Sequence, residues 1–218
     1  MNPAYPARRT RVKICGFTRP EEAALAARLG VDAIGLVFYE PSPRYVPVEK
    51  AAEIVAALPP FVTVVGLFVN AERTAIERVL ERVKIDLIQF HGDEAPVFCE
   101  AIGLPYIKAV AVRAELNWQE HMASHHRAQG FLLDAWHPDV RGGSGHCFDW
   151  NLIPAALART CILAGGLVPD NVGLALETVK PYALDVSSGV ESARGIKDAA
   201  KMAAFLKEVY AFDYRTTI

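Results

Sequence analysis

At 218 residues, with 52% hydrophobic and 22% charged residues, the chain has ample apolar surface for a large core and lacks the composition of a disordered segment. A formal net charge of −2 excludes a nucleic-acid or anionic-membrane surface built on bulk charge, so neither partner is expected. Any anionic ligand must then be held by a local device, such as one arginine or a helix N-terminus.

The four cysteines, Cys15, Cys99, Cys147 and Cys161, form no Cys-x-x-Cys pair. They read as reduced thiols of a cytoplasmic protein, not as a disulfide framework or a zinc site. Met1 to Thr10 is polar and contains proline, with no apolar signal region. No apolar run approaches the roughly 18 residues that a membrane span requires.

In chain order, short apolar runs alternate with longer helical patterns. Val12–Ile14 reads as a strand, followed by a helix over Glu21–Leu29 that is entered through Thr18-Arg-Pro-Glu21, a capping box with proline in its first turn. Strands at Ala33–Phe38, Thr63–Phe68 and Leu87–Phe90 alternate with helices at Val48–Ala57, Arg73–Arg82 and Pro96–Ile102. Tyr106–Val110 and Phe131–Leu133 follow as strands, with helices at Trp118–Arg127 and Leu152–Ala158. The last two strands are Cys161–Leu163 and Leu184–Val186, with helices at Asn171–Val179 and Ala199–Tyr210. Val168-Pro-Asp-Asn171 marks a helix entry, and Gly30, Gly103 and Gly130 are placed to act as C-terminal caps.

The strands are mostly continuous apolar runs, as expected where both faces of a parallel sheet are covered. About eight strand–helix units without a proline-, glycine- or serine-rich linker fit one (β/α)8 barrel over residues 1–218, with residues 1–10 a short extension. A doubly wound dinucleotide fold would want Gly-x-Gly-x-x-Gly after the first strand, where this chain has Ile14-Cys-Gly-Phe-Thr18. In such a barrel the site forms at the carboxyl ends of the strands, which directs attention to the residues just beyond each one.

Leu163-Ala-Gly-Gly-Leu167 and Asp185-Val-Ser-Ser-Gly-Val-Glu191 end the last two strands. Glycines let backbone N–H groups approach an anion and serines add donors, so a phosphorylated small molecule is the expected ligand. Cys15, at the end of the first strand, can abstract a proton from carbon if its pKa is lowered or the substrate assists its ionisation. Its alternative role is that of a small buried hydrophobe. Asp134 follows three apolar residues, so it is either hydrogen-bonded or raised in pKa and able to act as a general acid. Together they offer a base and an acid from opposite sides of a barrel mouth, chemistry that needs no cofactor. Arg44, in a proline-stiffened loop, can grip a carboxylate or phosphate, or stand solvated at the surface. His91-Gly-Asp-Glu94 lacks a matching histidine spacing for a metal site, and His121, His125 and His126 read as a solvated helix face.

These residues resemble the phosphoribosylanthranilate isomerase family. The resemblance rests on Lys13-Ile-Cys-Gly-Phe-Thr18, Ser42-Pro-Arg-Tyr-Val46, Val65-Gly-Leu-Phe-Val-Asn70 and Gln89-Phe-His-Gly-Asp-Glu94. It continues through Leu133-Asp134, Gly142-Gly-Ser-Gly145 with Phe148-Asp-Trp150, Ala164-Gly-Gly-Leu167 and Asp185 to Glu191, covering about Arg11 to Tyr210. It implies a barrel enzyme of tryptophan biosynthesis in which Asp134 protonates the furanose ring oxygen and Cys15 removes the C2 proton. It further implies that Arg44 holds the anthranilate carboxylate, that Gly166, Ser188 and Gly189 contribute to a phosphate cradle, and that Asp185 contacts the sugar or the acid. Gly142 to Gly145 would belong to a loop that closes over the substrate. The family often has threonine where Ser144 stands and a basic residue where His146 stands. A sister isomerase acting on phosphorylated aminoaldoses in histidine biosynthesis would carry aspartate where Cys15 stands. A non-catalytic phosphosugar-binding barrel would be expected to have lost Cys15 or Asp134. A fused lyase has no room in this length. Monomer and homodimer are both left open.

Overall fold

The computed structural model describes residues 9–113, 117–135 and 149–217. The Gly142 to Gly145 loop, Cys147 and most of Met1 to Thr10 lie outside the described residues. Eight parallel strands close on themselves in sequence order: β1 Arg11–Cys15, β2 Ala33–Val37, β3 Thr63–Phe68, β4 Leu87–Phe90, β5 Tyr106–Val112, β6 Gly130–Ala135, β7 Ile162–Leu163 and β8 Ala183–Val186. The intervening helices are α1 Pro20–Arg28, α2 Val48–Ala56, α3 Arg73–Leu80, α4 Pro96–Ala101, α5 Trp118–Ser124, α6 Ala155–Ala158 and α7 Pro169–Val179, and α8 Ala199–Thr217 follows β8. A small hairpin, β9 Glu191–Ala193 with β10 Ile196–Lys197, stands between β8 and α8.

The alternation of side chains along each strand divides the interior into two environments. Val12 and Ile14 of β1, Ile34 and Leu36 of β2, Ile88 and Phe90 of β4, and Leu184 and Val186 of β8 join the large apolar cluster against the helices. The opposite faces fill the barrel. Ile107, Ala109, Leu132 and Ala164 pack there as a separate apolar group, and Cys15, Val37, Leu67 and Val69 form another. Strands are apolar on both faces through most of their length, but polar residues interrupt the inward face. Lys13, Gln89, Asp134 and Asp185 are all buried.

The ladder is uneven. β5 and β6 align over six residue pairs, Ile107↔Gly130 to Val112↔Ala135, whereas β7 aligns over two with each neighbour. Asp32 and Asp86 each accept the backbone N–H of a residue on an adjacent strand, Val12 and Val64, at 2.9 Å. Of the ten residues read as an extension, Arg9 pairs with Asp32, and Thr10 bonds Asp213 through both its N–H and its hydroxyl.

Several local expectations are corrected. Thr18 is not an N-cap: its hydroxyl donates to the Gly195 carbonyl at 2.6 Å, and Arg19 precedes α1 with no side-chain cap. Tertiary contact has taken the hydroxyl that a capping box would use. Asn171 does cap α7, its Oδ1 accepting from Val168 N at 2.9 Å. Gly30 and Gly103 take the left-handed backbone expected after a helix, but Gly130 is the first residue of β6.

His125 is not on a solvated face. α5 ends at Ser124, and His125 turns inward beneath it, edge-on to Tyr106 and 5.4 Å from His121. Burial, then the charges of Lys108 and His121, push its pKa down from 6.5 to about 4. The unfolded chain therefore binds this proton first as the pH falls. The stability due to neutral His125 is complete above pH 6.5 and is lost as pH drops toward 4. Replacing His125 with Phe is expected to flatten the fall in Tm across that interval, as measured by calorimetry.

Candidate active site

Cys15, Asp134 and Asp185 all line one open cleft of about 680 Å³ at the carboxyl ends of the strands. Arg44, Gly166 and Ser188 also line it, as do Gln89, His91 and the mixed apolar wall of Val37, Leu67 and Val69. Of the described residues given a catalytic or substrate-binding role from the sequence, Gly189 alone is not on the wall. It packs behind it, against the Leu167 carbonyl, where a methyl group in place of its hydrogen would collide with backbone. Gly189 thus lets the loops after β7 and β8 lie against each other.

Cys15 is 5% exposed. Its thiol sits over Gly35 of the neighbouring strand, where a Cβ would come within 2.6 Å of Sγ. Burial pushes the thiol up from the ordinary range and Asp185 adds to this, while Lys13 and Lys197 pull the other way. In this environment Cys15 is therefore a thiol at neutral pH.

Lys13 stands two residues before Cys15 on the same inward face and bonds Asp185 Oδ1 at 2.8 Å, its cross-strand neighbour on β8. Burial alone would lower the lysine, but the carboxylate of Asp185 and then Cys15 outweigh it and hold the ammonium protonated. Burial conversely pushes Asp185 up against the pull of Lys13, with the Asp134 charge adding to the rise. With Lys13 kept charged, the two form an ion pair inside the barrel.

Asp134 is hydrogen-bonded. Oδ1 accepts from Ala135 N at 2.8 Å, and Oδ2 lies 3.3 Å from His91 Nε2. His91 Nδ1 in turn meets Gln89 Nε2 at 2.8 Å. The loop carrying His91 is fixed from behind β4 by Lys108, which bonds the Gly92 carbonyl at 2.6 Å and Glu94 at 3.2 Å. Glu94 also accepts from the backbone N–H groups of Asn70 and Gly92.

Arg44 is not a solvated surface residue. It is 8% exposed, and a two-point pair to Glu191 takes its Nε at 2.7 Å and Nη2 at 2.9 Å. Lys197 reaches the same carboxylate at 2.9 Å. Burial would raise Glu191, but the bonds from Arg44 and Lys197 outweigh it and hold the carboxyl below its usual range. The guanidinium keeps three further N–H donors, and Arg44 lines the cleft.

Sequence reasoning placed His91 and Glu191 at strand ends, and Lys13 and Gln89 within the family motifs, but gave none of the four a role in the site. The spacing of Lys13 with Cys15, and of Gln89 with His91, was the available signal: residues two apart on a strand share a face. Nothing local to Glu191 pointed to Arg44, which is 147 residues away.

A family model described as N-(5'-phosphoribosyl)anthranilate (PRA) isomerase matches residues 12–208. The chain is 56% identical over 199 residues to the N-(5'-phosphoribosyl)anthranilate isomerase of Pseudomonas putida, covering 91% of this chain and 97% of that one. Its counterpart in Azotobacter vinelandii is 55% identical with the same coverage. Among solved structures, the phosphoribosyl anthranilate isomerase of Thermus thermophilus superposes with a TM-score of 0.83 at 39% identity, over 93% of this chain and 99% of that one. Another structure of such an isomerase, in complex with reduced 1-(o-carboxyphenylamino)-1-deoxyribulose 5-phosphate, gives 0.81 at 39% identity, again over 93% and 99%. Both the sequence and the barrel thus place this chain in the N-(5'-phosphoribosyl)anthranilate isomerase family.

Proposed function

We propose that this chain catalyses the Amadori rearrangement of N-(5-phosphoribosyl)anthranilate to 1-(2-carboxyphenylamino)-1-deoxyribulose 5-phosphate, a step of L-tryptophan biosynthesis, with Asp134 as general acid and Cys15 as general base. The observation that carries this reading is the placement of Cys15, Asp134 and the glycine- and serine-bearing loops after β7 and β8 around a single cleft.

The substrate's phosphate is assigned to Gly166, Ser188 and the loop that Gly189 lets approach, where backbone donors serve an anion. Its anthranilate carboxylate is assigned to the N–H groups of Arg44 that Glu191 leaves unused. Asp134 gives a proton to the furanose oxygen, and the C1–O bond breaks as the nitrogen lone pair forms a protonated Schiff base. That cation lies next to C2 and acidifies its C–H bond. It also adds to the pull of Lys13 and Lys197 a further positive charge near Cys15 that favours the thiolate. Cys15 then takes the C2 proton, and the resulting enolamine tautomerises to the ketose. Asp185, held by Lys13, faces the same space and is assigned to the sugar. Monomer and homodimer are both compatible with this reading, since the site is built within one chain.

Loss of phosphoribosylanthranilate fluorescence in metal-free buffer tests the reaction and its base together. Turnover by the wild type and none by Cys15→Ser, with substrate binding retained, is the expected pair of results; near-normal turnover by the variant removes Cys15 from the mechanism. Arg44→Ala is expected to act mainly on KM, and an unchanged KM would refute the carboxylate role. Gly189→Ala, by forcing the two loops apart, is expected to raise KM by about tenfold and to weaken inhibition by inorganic phosphate similarly. In the free enzyme, peptide-mapped alkylation of Cys15 is expected to be slow at neutral pH and still rising beyond the ordinary thiol range.

A further inference from the structure

One buried polar atom of the cleft has no part in the isomerisation described above. Gln89 has no exposed surface, yet its Oε1 has no hydrogen-bond partner among the described residues. A buried carbonyl oxygen left this way forfeits the hydrogen bonds that water would give it. The other end of the same amide begins a three-membered chain, from Gln89 Nε2 to His91 Nδ1 at 2.8 Å and from His91 Nε2 to Asp134 Oδ2 at 3.3 Å.

The amide of Gln89 has two orientations, and each fits a different imidazole tautomer. With its NH2 group toward His91, Nδ1 accepts, the ring proton sits on Nε2, and Asp134 faces a donor that suits a carboxylate. With its oxygen toward His91, Nδ1 carries the proton and Nε2 offers a lone pair, which suits a protonated Asp134 donating to it. With the NH2 group toward His91, Oε1 has no donor among the described residues, so no second bond of the amide locks that orientation.

We propose that Gln89, acting through His91, sets whether Asp134 holds the proton that it gives to the ring oxygen, and that the amide turns over as that proton is lost and regained. Gln89 is in this sense a positioning residue. The inference rests on the reading of Asp134 as general acid. The protons balance. Loading takes one proton from solvent onto Nδ1 while the Nε2 proton moves to Oδ2. Ring opening passes that proton to the substrate. An unprotonated Nε2 then faces a carboxylate, and the imidazole relieves the repulsion by moving its proton from Nδ1 to Nε2 through solvent as the amide turns.

The charged groups around this chain already have partners. Asp185 of β8, which is coupled to both Asp134 and His91, is held by Lys13 of β1, next to Cys15. Lys108 of β5 is paired with Glu94 behind β4, and Arg44 with Glu191. Among the described residues, that leaves Gln89 to choose the tautomer.

The test combines pH profiles of kcat/KM with 15N NMR of labelled histidine, using the His91→Asn variant to assign the His91 signals. Gln89→Met, which can neither donate nor accept in this way, is expected to move the basic limb to lower pH. One unit above the wild-type limb its rate should be about tenfold below wild type, with the two converging at low pH. Gln89→Glu accepts only, and is expected to hold His91 protonated on Nδ1 and to move the limb upward. Profiles of both variants that overlay the wild type after scaling would overturn the proposal, as would an unchanged His91 tautomer in Gln89→Glu. Asp134→Asn separates the two readings through its single-turnover rate. An undiminished rate sinks the general acid itself, whereas a lost rate beside an unchanged His91 tautomer sinks only the role of Gln89.

Discussion

A charge taken out of water must find a partner, and that constraint organises the mouth of this barrel. Lys13 faces Asp185, Arg44 and Lys197 share Glu191, and Lys108 meets Glu94. The Lys13–Asp185 and Arg44–Glu191 pairs join residues 172 and 147 apart in sequence, so they fix the mutual position of strand ends that the backbone ladder alone leaves adjustable. Removing one member of such a pair typically costs roughly 3–5 kcal/mol, because the other is left buried and uncompensated. The chemistry depends on the same pairs. Lys13 and Asp185 exert the largest charge effects on the Cys15 thiol, and Glu191 presents the guanidinium of Arg44 to the cleft in one orientation.

Under the proposed mechanism, these pairs also explain how the thiol can be inert before the substrate reacts and become the base as it does. Lys13 offers Cys15 a positive charge, but Asp185 cancels much of it, and burial decides the balance in favour of the neutral thiol. A substrate that becomes cationic part-way through its reaction supplies the missing charge at the moment it is needed. A thiol kept neutral until then is protected from adventitious alkylation and oxidation.

The barrel was legible in the sequence because a strand covered on both faces writes itself as an apolar run. Thr63–Phe68 and Leu87–Phe90 have the same limits in the structure as in the sequence reading. Cys15 and Asp134 were legible for the complementary reason: each is a reactive group at the end of such a run. What stayed hidden depends on neighbours across strands. Lys13 reads as a polar residue opening a motif until β8 places Asp185 beside it. Thr18 and Glu21 have the spacing of a cap, but Gly195 claims the hydroxyl. His125 lies in a run of polar residues, and only the end of α5 at Ser124 and the ring of Tyr106 explain why it is buried.

The short seam at β7 bears on how the barrel holds together. Two aligned residues on either side, preceded by the four-residue helix α6, make this sector the thinnest part of the wall. A closed ring opens first at its weakest stave, so local unfolding should begin here and amide protons of β7 should exchange early. The loops that leave β7 and β8 are also those assigned to the phosphate. An anion gripped from both sides would then act as a rivet across the weakest join, and occupancy of the site would tighten the whole hoop.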